Sequence, residues 1–336
     1  MSTHPTAPVP EALFDDEREQ RWRARFTAVR MSRPAWALDA PDRCVYSSNQ
    51  SGTTQVHLWD RATDEHRRLT DRPAGTFFAT LPPEGETVWW FSDTDGDEFG
   101  HWVEQPFAGG PATLPLPDVE DGYPAGLDIG RERVVVGTST DDGTTVWVAD
   151  RGGPARVLYR NPEDAGVGGL SEDETLVAIT HSEHGDSRHP ALRVLTVAGD
   201  LVAEKSDGPG KGLNAVAFSP VRGDQRLLVG HERRGREELL LWDVVADTET
   251  ELDLGLPGEL DADAAPDTAI LAASEAAGAL MPSGCRMGIC HTCVGKLTAG
   301  AVRDLQTGER HDAADQPGRP VRTCVSAPTG DVTLAL

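Results

Sequence analysis

Basic side chains are scarce in this chain: 336 residues carry 31 Lys and Arg against 55 Asp and Glu, for a formal charge of −24. A surface that acidic repels nucleic-acid phosphates and anionic lipid headgroups and favours a partner with a basic face. Neither nucleic acid nor a membrane is therefore an expected partner. Long apolar runs are missing too, and no stretch approaches the roughly 18 apolar residues that span a bilayer. Met1-Ser2-Thr3-His4-Pro5 runs on to Asp15-Asp16-Glu17-Arg18-Glu19 with no basic segment leading into an apolar one. No secretory signal is read there, and a cytoplasmic location is the default expectation. Cysteine is sparse, five in all and unevenly placed, which excludes a disulfide framework. Four of the five fall near the C-terminus, the pattern of a metal site in a reducing compartment. Cys44 stands alone and reads as a small core residue.

What is present is concentrated in Gly284-Cys285-Arg286-Met287-Gly288-Ile289-Cys290-His291-Thr292-Cys293, with Cys324 further on. The order C-x4-C-x2-C…C is the plant-type spacing for a 2Fe–2S centre. Cysteines five and then three positions apart can wrap a two-iron rhomb, and the fourth thiolate must arrive from a separate segment. Gly284 and Gly288 permit tight turns that aim backbone N–H groups at sulfur. Such hydrogen bonds tune a potential that lies near about −400 mV in plant-type centres. Met287 and Ile289 add apolar bulk that would shield the cluster. His291 as a ligand would have to displace a better-placed cysteine. The bland alternatives are buried inert thiols or zinc, but structural zinc sites show two short cysteine pairs and only Cys290 and Cys293 form one.

Residues 1–10 are rich in Pro and Thr and suit disorder. Residues 11–30 carry Leu13, Phe14, Trp22, Phe26 and Val29 at roughly helical spacing, and Arg33-Pro34 should end the helix. From about 43 to 254, short β-rich runs alternate with Gly, Asp and Pro turns. A repeat of about 40 residues suggests a propeller of about five blades, each able to supply four strands. Trp59-Asp60 and Trp242-Asp243 fall at equivalent places in the first and fifth units. Pro266-Asp267-Thr268 opens a further helix over Ala269 to Ala277, with Gly278 as its stop.

The segment Ser92-Asp93-Thr94-Asp95-Gly96-Asp97-Glu98-Phe99-Gly100 and the Trp-Asp strands resemble the N-terminal propeller of the prolyl oligopeptidase and acylaminoacyl-peptidase family. That family has more blades, followed by an α/β-hydrolase domain for which no Gly-x-Ser-x-Gly nucleophile elbow is found here. Gly137-Thr138-Ser139-Thr140-Asp141 lacks the second glycine, so no catalytic residue is assigned. Five blades must close tightly, stay open, or be completed by a partner.

From Thr268 to the end the chain resembles a plant-type 2Fe–2S ferredoxin, a β-grasp domain, as found at the C-terminus of bacterial reductases that feed hydroxylases and desaturases. Leu280-Met281-Pro282-Ser283, the cysteine loop, Gly300-Ala301-Val302, Thr307-Gly308-Glu309, Thr323-Cys324-Val325 and Gly330-Asp331-Val332 carry the likeness. It implies that Cys285 and Cys290 bind the outer iron and Cys293 and Cys324 the inner one. It also implies a basic-faced flavoprotein reductase as donor and an oxygenase-type acceptor.

Weaker signals are read as structure. His181, His184 and His189, with Glu183 and Asp186, resemble a metal cluster but lie in a polar hairpin. Asp93, Asp95 and Asp97 lack the glycine placement of an EF-hand. Gly208-Pro209-Gly210-Lys211-Gly212 lacks the Walker spacing. The tryptophans at 59, 102, 147 and 242 are expected in the blade core. The expectation is a multidomain chain: an N-terminal extension with a helix (1–42), an all-β propeller-like region (43–257) and an α+β ferredoxin-like domain (258–336). Its expected function is one-electron transfer through a 2Fe–2S cluster; the rival is a non-catalytic peptide- or protein-binding propeller.

Overall fold

Val, Ile, Trp and Leu crowd into runs of three or four, as in Val134-Val135-Val136, because the strands they form are covered on both faces. The computed structural model describes residues 16–184, 187–252, 293–305, 307, 309–329 and 332–335. The helix expected at 269–277, the boundary expected at 257/258, Cys285 and Cys290 lie outside the described residues.

A first helix, α1 (Asp16–Phe26), has acidic side chains in its first turn and arginines in its last, both favourable to its dipole. It stops before the expected Arg33-Pro34. The Asn49 side chain accepts from Arg30 N at 2.7 Å and donates to Ala28 O at 3.1 Å, which draws residues 28–30 onto the first sheet instead.

Five antiparallel sheets follow in chain order. The first holds β1 (Ala35–Trp36), β2 (Arg43–Ser48), β3 (Gln55–Asp60) and β4 (Glu65–Arg68); the second, β5 (Ala79–Thr80), β6 (Thr87–Asp93) and β7 (Gly100–Pro106). The third holds β8 (Tyr123–Ile129), β9 (Arg133–Thr140), β10 (Gly143–Asp150) and β11 (Arg156–Asn161). The fourth holds β12 (Ala165–Leu170), β13 (Leu176–His181), β14 (Ala191–Thr196) and β15 (Leu201–Lys205); the fifth, β16 (Leu213–Phe218), β17 (Arg226–His231), β18 (Glu238–Asp243) and β19 (Thr248–Leu252). Ala112-Thr113-Leu114, where the fourth strand of the second unit would fall, makes only one bridge, Glu104 with Thr113. Pro111, Pro115 and Pro117 around it have no N–H to extend a ladder.

Hydrophobic seams join each sheet to the next. Val45, Leu58, Val88 and Trp90 lie between the first and second; Trp89, Val134, Val136 and Trp147 between the second and third. Val135, Val146, Val177 and Ile179 join the third to the fourth; Ala178, Val194, Leu240 and Trp242 join the fourth to the fifth. Consecutive valines of β9 thus serve opposite faces, as a period of two requires. The result is a propeller-like array. Among the described residues no such seam joins the fifth sheet to the first.

The innermost strands β1, β5, β8, β12 and β16 crowd toward the axis, and glycine makes that approach feasible. A Cβ on Gly168 would lie 2.8 Å from the Ala215 Cβ, and one on Gly126, at φ +99°, would lie 2.9 Å from the Val167 Cβ. Just past the C-terminal ends of three inner strands, Arg131 gathers the ring. It donates to both Asp39 carboxylate oxygens at 3.0 and 3.1 Å and to Glu172 at 2.9 Å. First, third and fourth sheets are thereby clasped at one end. Beside this clasp the buried Glu174 carboxylate accepts Arg131 N at 2.7 Å and Glu132 N at 3.0 Å.

The Trp-Asp hairpins are the same device built twice. Trp59 Nε1 donates to Asp64 at 3.2 Å and Trp242 Nε1 to Asp247 at 3.0 Å. Asp60 and Asp243 each accept two turn amides, and Asp64 and Asp247 both adopt left-handed backbone, at φ 57° and 50°. Their environments differ. Trp242 is fully buried against the fourth sheet, whereas Trp59 is half-buried, belongs to no hydrophobic cluster and borders a cavity that Arg303, Asp304 and Leu305 also line. That corrects the expectation of a core residue at 59.

The C-terminal strands make two small sheets: β23 (Arg319–Arg322), β20 (Val294–Ala299) and β25 (Thr333–Ala335); then β22 (Arg310–Asp312), β21 (Ala301–Asp304) and β24 (Ser326–Pro328). Leu297, Val302, Ala313 and Val321 form their core. No helix among the described residues is long and apolar enough to cross a membrane.

Candidate metal centre

Cys293 immediately precedes β20, and Cys324 sits in a 3-10 turn, Thr323–Val325, between β23 and β24. The β20–β23 ladder pairs Val294 with Arg322, so Cys293 falls opposite Thr323, and the 3-10 turn that begins there brings in Cys324. Thr323 fixes them: its N and its Oγ1 both donate to Cys293 O at 2.9 Å. Leu305 N donates to Val325 O at 2.7 Å and Arg322 pairs with the buried Asp304 at 2.8 Å, which ties the turn to β21. The sequence marks Thr323 only as part of the Thr323-Cys324-Val325 triplet and carries no local signal for Asp304.

The two sulfurs stand 3.0 Å apart, not joined in a disulfide, and both are buried with Val325 beside them. That is well beyond the roughly 2.05 Å of a disulfide. Thiolates on one metal at about 2.3 Å each would stand somewhat further apart, so a small opening of the pair suits a shared ion. Burial alone would raise the Cys293 thiol, but hydrogen bonding from Cys324 and nearby backbone outweighs it and holds the group below its ordinary value. Two buried sulfurs in contact, one of them held toward its thiolate, are a donor set for a soft metal such as iron. Cys44 behaves oppositely: burial pushes it up to about 11, as befits an inert core thiol.

The 2Fe-2S iron-sulfur cluster binding domain family matches residues 257–329, which contain both cysteines and the loop before them. The C-terminal segment is a 2Fe–2S ferredoxin-type domain. Over 73 residues it is 55% identical to an NADPH oxidoreductase of Mycobacterium tuberculosis, covering 22% of this chain and 18% of that protein. It is 38% identical over 76 residues to the chloroplastic Ferredoxin-6 of Zea mays, 23% of this chain and 48% of the other. A stachydrine N-demethylase reductase subunit of Rhizobium meliloti is 36% identical over 102 residues, 30% of this chain and 28% of its own length. The chain thus spans less than half the length of these relatives. A solved prolyl endopeptidase structure superposes with a TM-score of 0.54 at 19% identity, over 72% of this chain and 37% of that one, which places the sheets in a propeller fold.

The other candidates do not assemble. Among the described residues no group of three His, Cys, Asp or Glu side chains converges as a metal site. His184 instead bonds Glu204, and Glu183 takes Arg193 and Tyr159. Asp97 caps its own turn and Asp93 pairs with Arg72.

His181, 1% exposed, has neither ring nitrogen hydrogen-bonded. Burial first, and then the Arg193 charge, lower its pKa. His57 and His231 are likewise lowered by burial and by Arg68 and Arg233. A depressed folded value means the unfolded chain takes up protons first. Stability should therefore be level above the unfolded histidine value of about 6.5 and fall as pH drops below it. Carboxylates held low by arginine, such as Glu183 at about 2, add their loss only below about pH 4.5. Urea midpoints at pH 8, 7, 6 and 5 test this: the decline should begin between 7 and 6 and be shallower in His181→Leu. A flat profile down to pH 5 would contradict it.

Proposed function

We propose that this chain is a one-electron carrier, organised as an extension (1–42), a propeller region (43–257) and a ferredoxin domain (258–336), in a reducing, cytoplasmic setting. Cys285, Cys290, Cys293 and Cys324 would hold the 2Fe–2S cluster, which supplies a one-electron redox couple when bound. The convergence of Cys293 and Cys324, 31 positions apart in the chain, carries this reading.

The chain's own contribution is to position and shield. Thr323 orients the thiol pair, Val325 excludes water, and the Cys293 environment favours the thiolate. Between Glu251 and Leu336 there are 12 acidic and 6 basic side chains, so docking would be to a basic face, weak and salt-dependent. The relatives named as an NADPH oxidoreductase and a reductase subunit support a flavoprotein reductase as donor; an oxygenase-type protein is the proposed acceptor.

Iron and acid-labile sulfide analysis of the full chain, with EPR after dithionite reduction, tests the proposal. Two irons, two sulfides and a rhombic signal are expected. Colourless protein without iron after anaerobic reconstitution would leave the rival reading, a peptide-binding propeller.

A further inference from the structure

The end of the propeller opposite the Arg131 clasp is built differently. There the inner strands begin, and aromatic rings face solvent. Phe77, Phe78 and Tyr123 are 50%, 40% and 47% exposed. Phe77 and Phe78 lie with centroids 4.2 Å apart just before β5. Phe99 and Tyr123, from the second and third sheets, meet edge to face at 5.3 Å. A cavity of about 300 Å3 opens beside Phe77 and Phe78, between Thr53 and Glu98.

These rings are held rather than loose. Gly100 and Gly122, next to Phe99 and Tyr123, exchange backbone hydrogen bonds at 3.1 and 2.9 Å and so stitch the two sheets together. Neither position admits a side chain: a Cβ on Gly100 would meet Ser92 O at 2.0 Å, and one on Gly122 would meet Ser139 O at 2.8 Å. Phe78 is propped edge-on by the buried Phe91. A platform fixed in this way loses little entropy when it is covered.

Carboxylates border it. Asp95 and Glu98 project from one tight turn, at φ 52° and 63°, both exposed and with no ion pair among the described residues. Asp121, paired with His101, stands next to the Gly122 stitch. Exposed ring faces attract guanidinium groups, and the carboxylates offer them charge-assisted hydrogen bonds. The net charge of −24 adds long-range attraction of the same sign.

We infer that this mouth of the propeller is a docking surface for an arginine-bearing peptide segment with an aromatic or aliphatic anchor. The anchor fills the cavity beside Phe77 and Phe78, and the guanidinium groups lie over Tyr123 and against Asp95 and Glu98. This gives the peptide-binding reading of the propeller a face and a partner chemistry. It is independent of the cluster, because no cysteine takes part.

Fluorescence anisotropy on the full chain tests it with three labelled peptides: Arg-Trp-Arg-Leu-Arg, its Arg-Ser-Arg-Ser-Arg counterpart, and Glu-Trp-Glu-Leu-Glu. The first should bind at least tenfold more tightly than either of the others. Phe77→Ser should weaken it at least fivefold, and Asp95→Asn with Glu98→Gln should weaken it and flatten its salt dependence. Both are surface changes, and an unchanged urea midpoint checks the fold. Tyr123→Ser provides an independent loss should Phe77→Ser misfold. Equal binding of the first two peptides, or undiminished binding to Phe77→Ser and Tyr123→Ser, would reduce the interaction to attraction by an acidic surface and overturn the proposal. Failure of all three peptides to bind overturns it too.

Discussion

Cys324→Ser is expected to strip the reconstituted protein of iron and labile sulfide, with a fall on the order of tenfold or more per chain. Cys44→Ser should leave both at the parent level. The contrast rests on where the two thiols sit. Cys324 is delivered by the turn between β23 and β24 to within 3.0 Å of the Cys293 sulfur. Cys44 is buried in β2, paired with Trp59, and its raised pKa removes thiolate at neutral pH. A serine oxygen is a harder, less polarizable donor than sulfur and suits iron–sulfur chemistry poorly. Thr323→Val should act in the same direction more weakly, because it loosens Cys293 without removing a sulfur. Iron, sulfide and visible absorbance measured on matched preparations decide the matter. Equal loss in the Cys44 and Cys324 variants would break the ligand assignment.

Trp242→Ala should destabilise the protein by about 3–5 kcal/mol, seen as a lower urea midpoint. The ring is fully buried in the seam between the fourth and fifth sheets, its Nε1 bonds Asp247, and the Lys205 ammonium lies 4.8 Å from the ring centroid. Trp59→Ala, at the matching place in the first sheet, should cost clearly less. Its ring stacks on His66 and borders a cavity shared with Arg303 and Leu305, not a filled seam. If the two variants unfolded at the same midpoint, Trp59 would have to be packed in solution as tightly as Trp242, and the cavity beside it would have to be filled.

This pair also shows how far the sequence could be read. Trp-Asp marked the same hairpin twice because the turn that follows needs the same aspartates wherever it occurs. Burial of the tryptophan depends on the neighbouring sheet, which no local pattern records. Inner strands such as Ala165–Leu170 were missed for a related reason. Crowding near the axis favours glycine, which reads as a turn, and only Ala215 opposite Gly168 explains its presence. The Asp39–Arg131 pair spans 92 positions and had no local trace at all. In the ferredoxin domain the cysteine order named the chemistry directly, since thiolates at fixed spacing serve few other purposes. The threonine that positions two of them is an ordinary polar residue whose role appears only when strands β20 and β23 are laid side by side.

The Arg131 clasp has an implication for solution behaviour. Its guanidinium is 37% exposed and the Asp39 carboxylate 47%, so dissolved ions reach both and screen them. The contact between the first and third sheets at that end is therefore one that salt can weaken. Raising ionic strength should let the first and third blades relax apart while the hydrophobic seams stay intact, making curvature, and not unfolding, the first property of the ring to respond to salt.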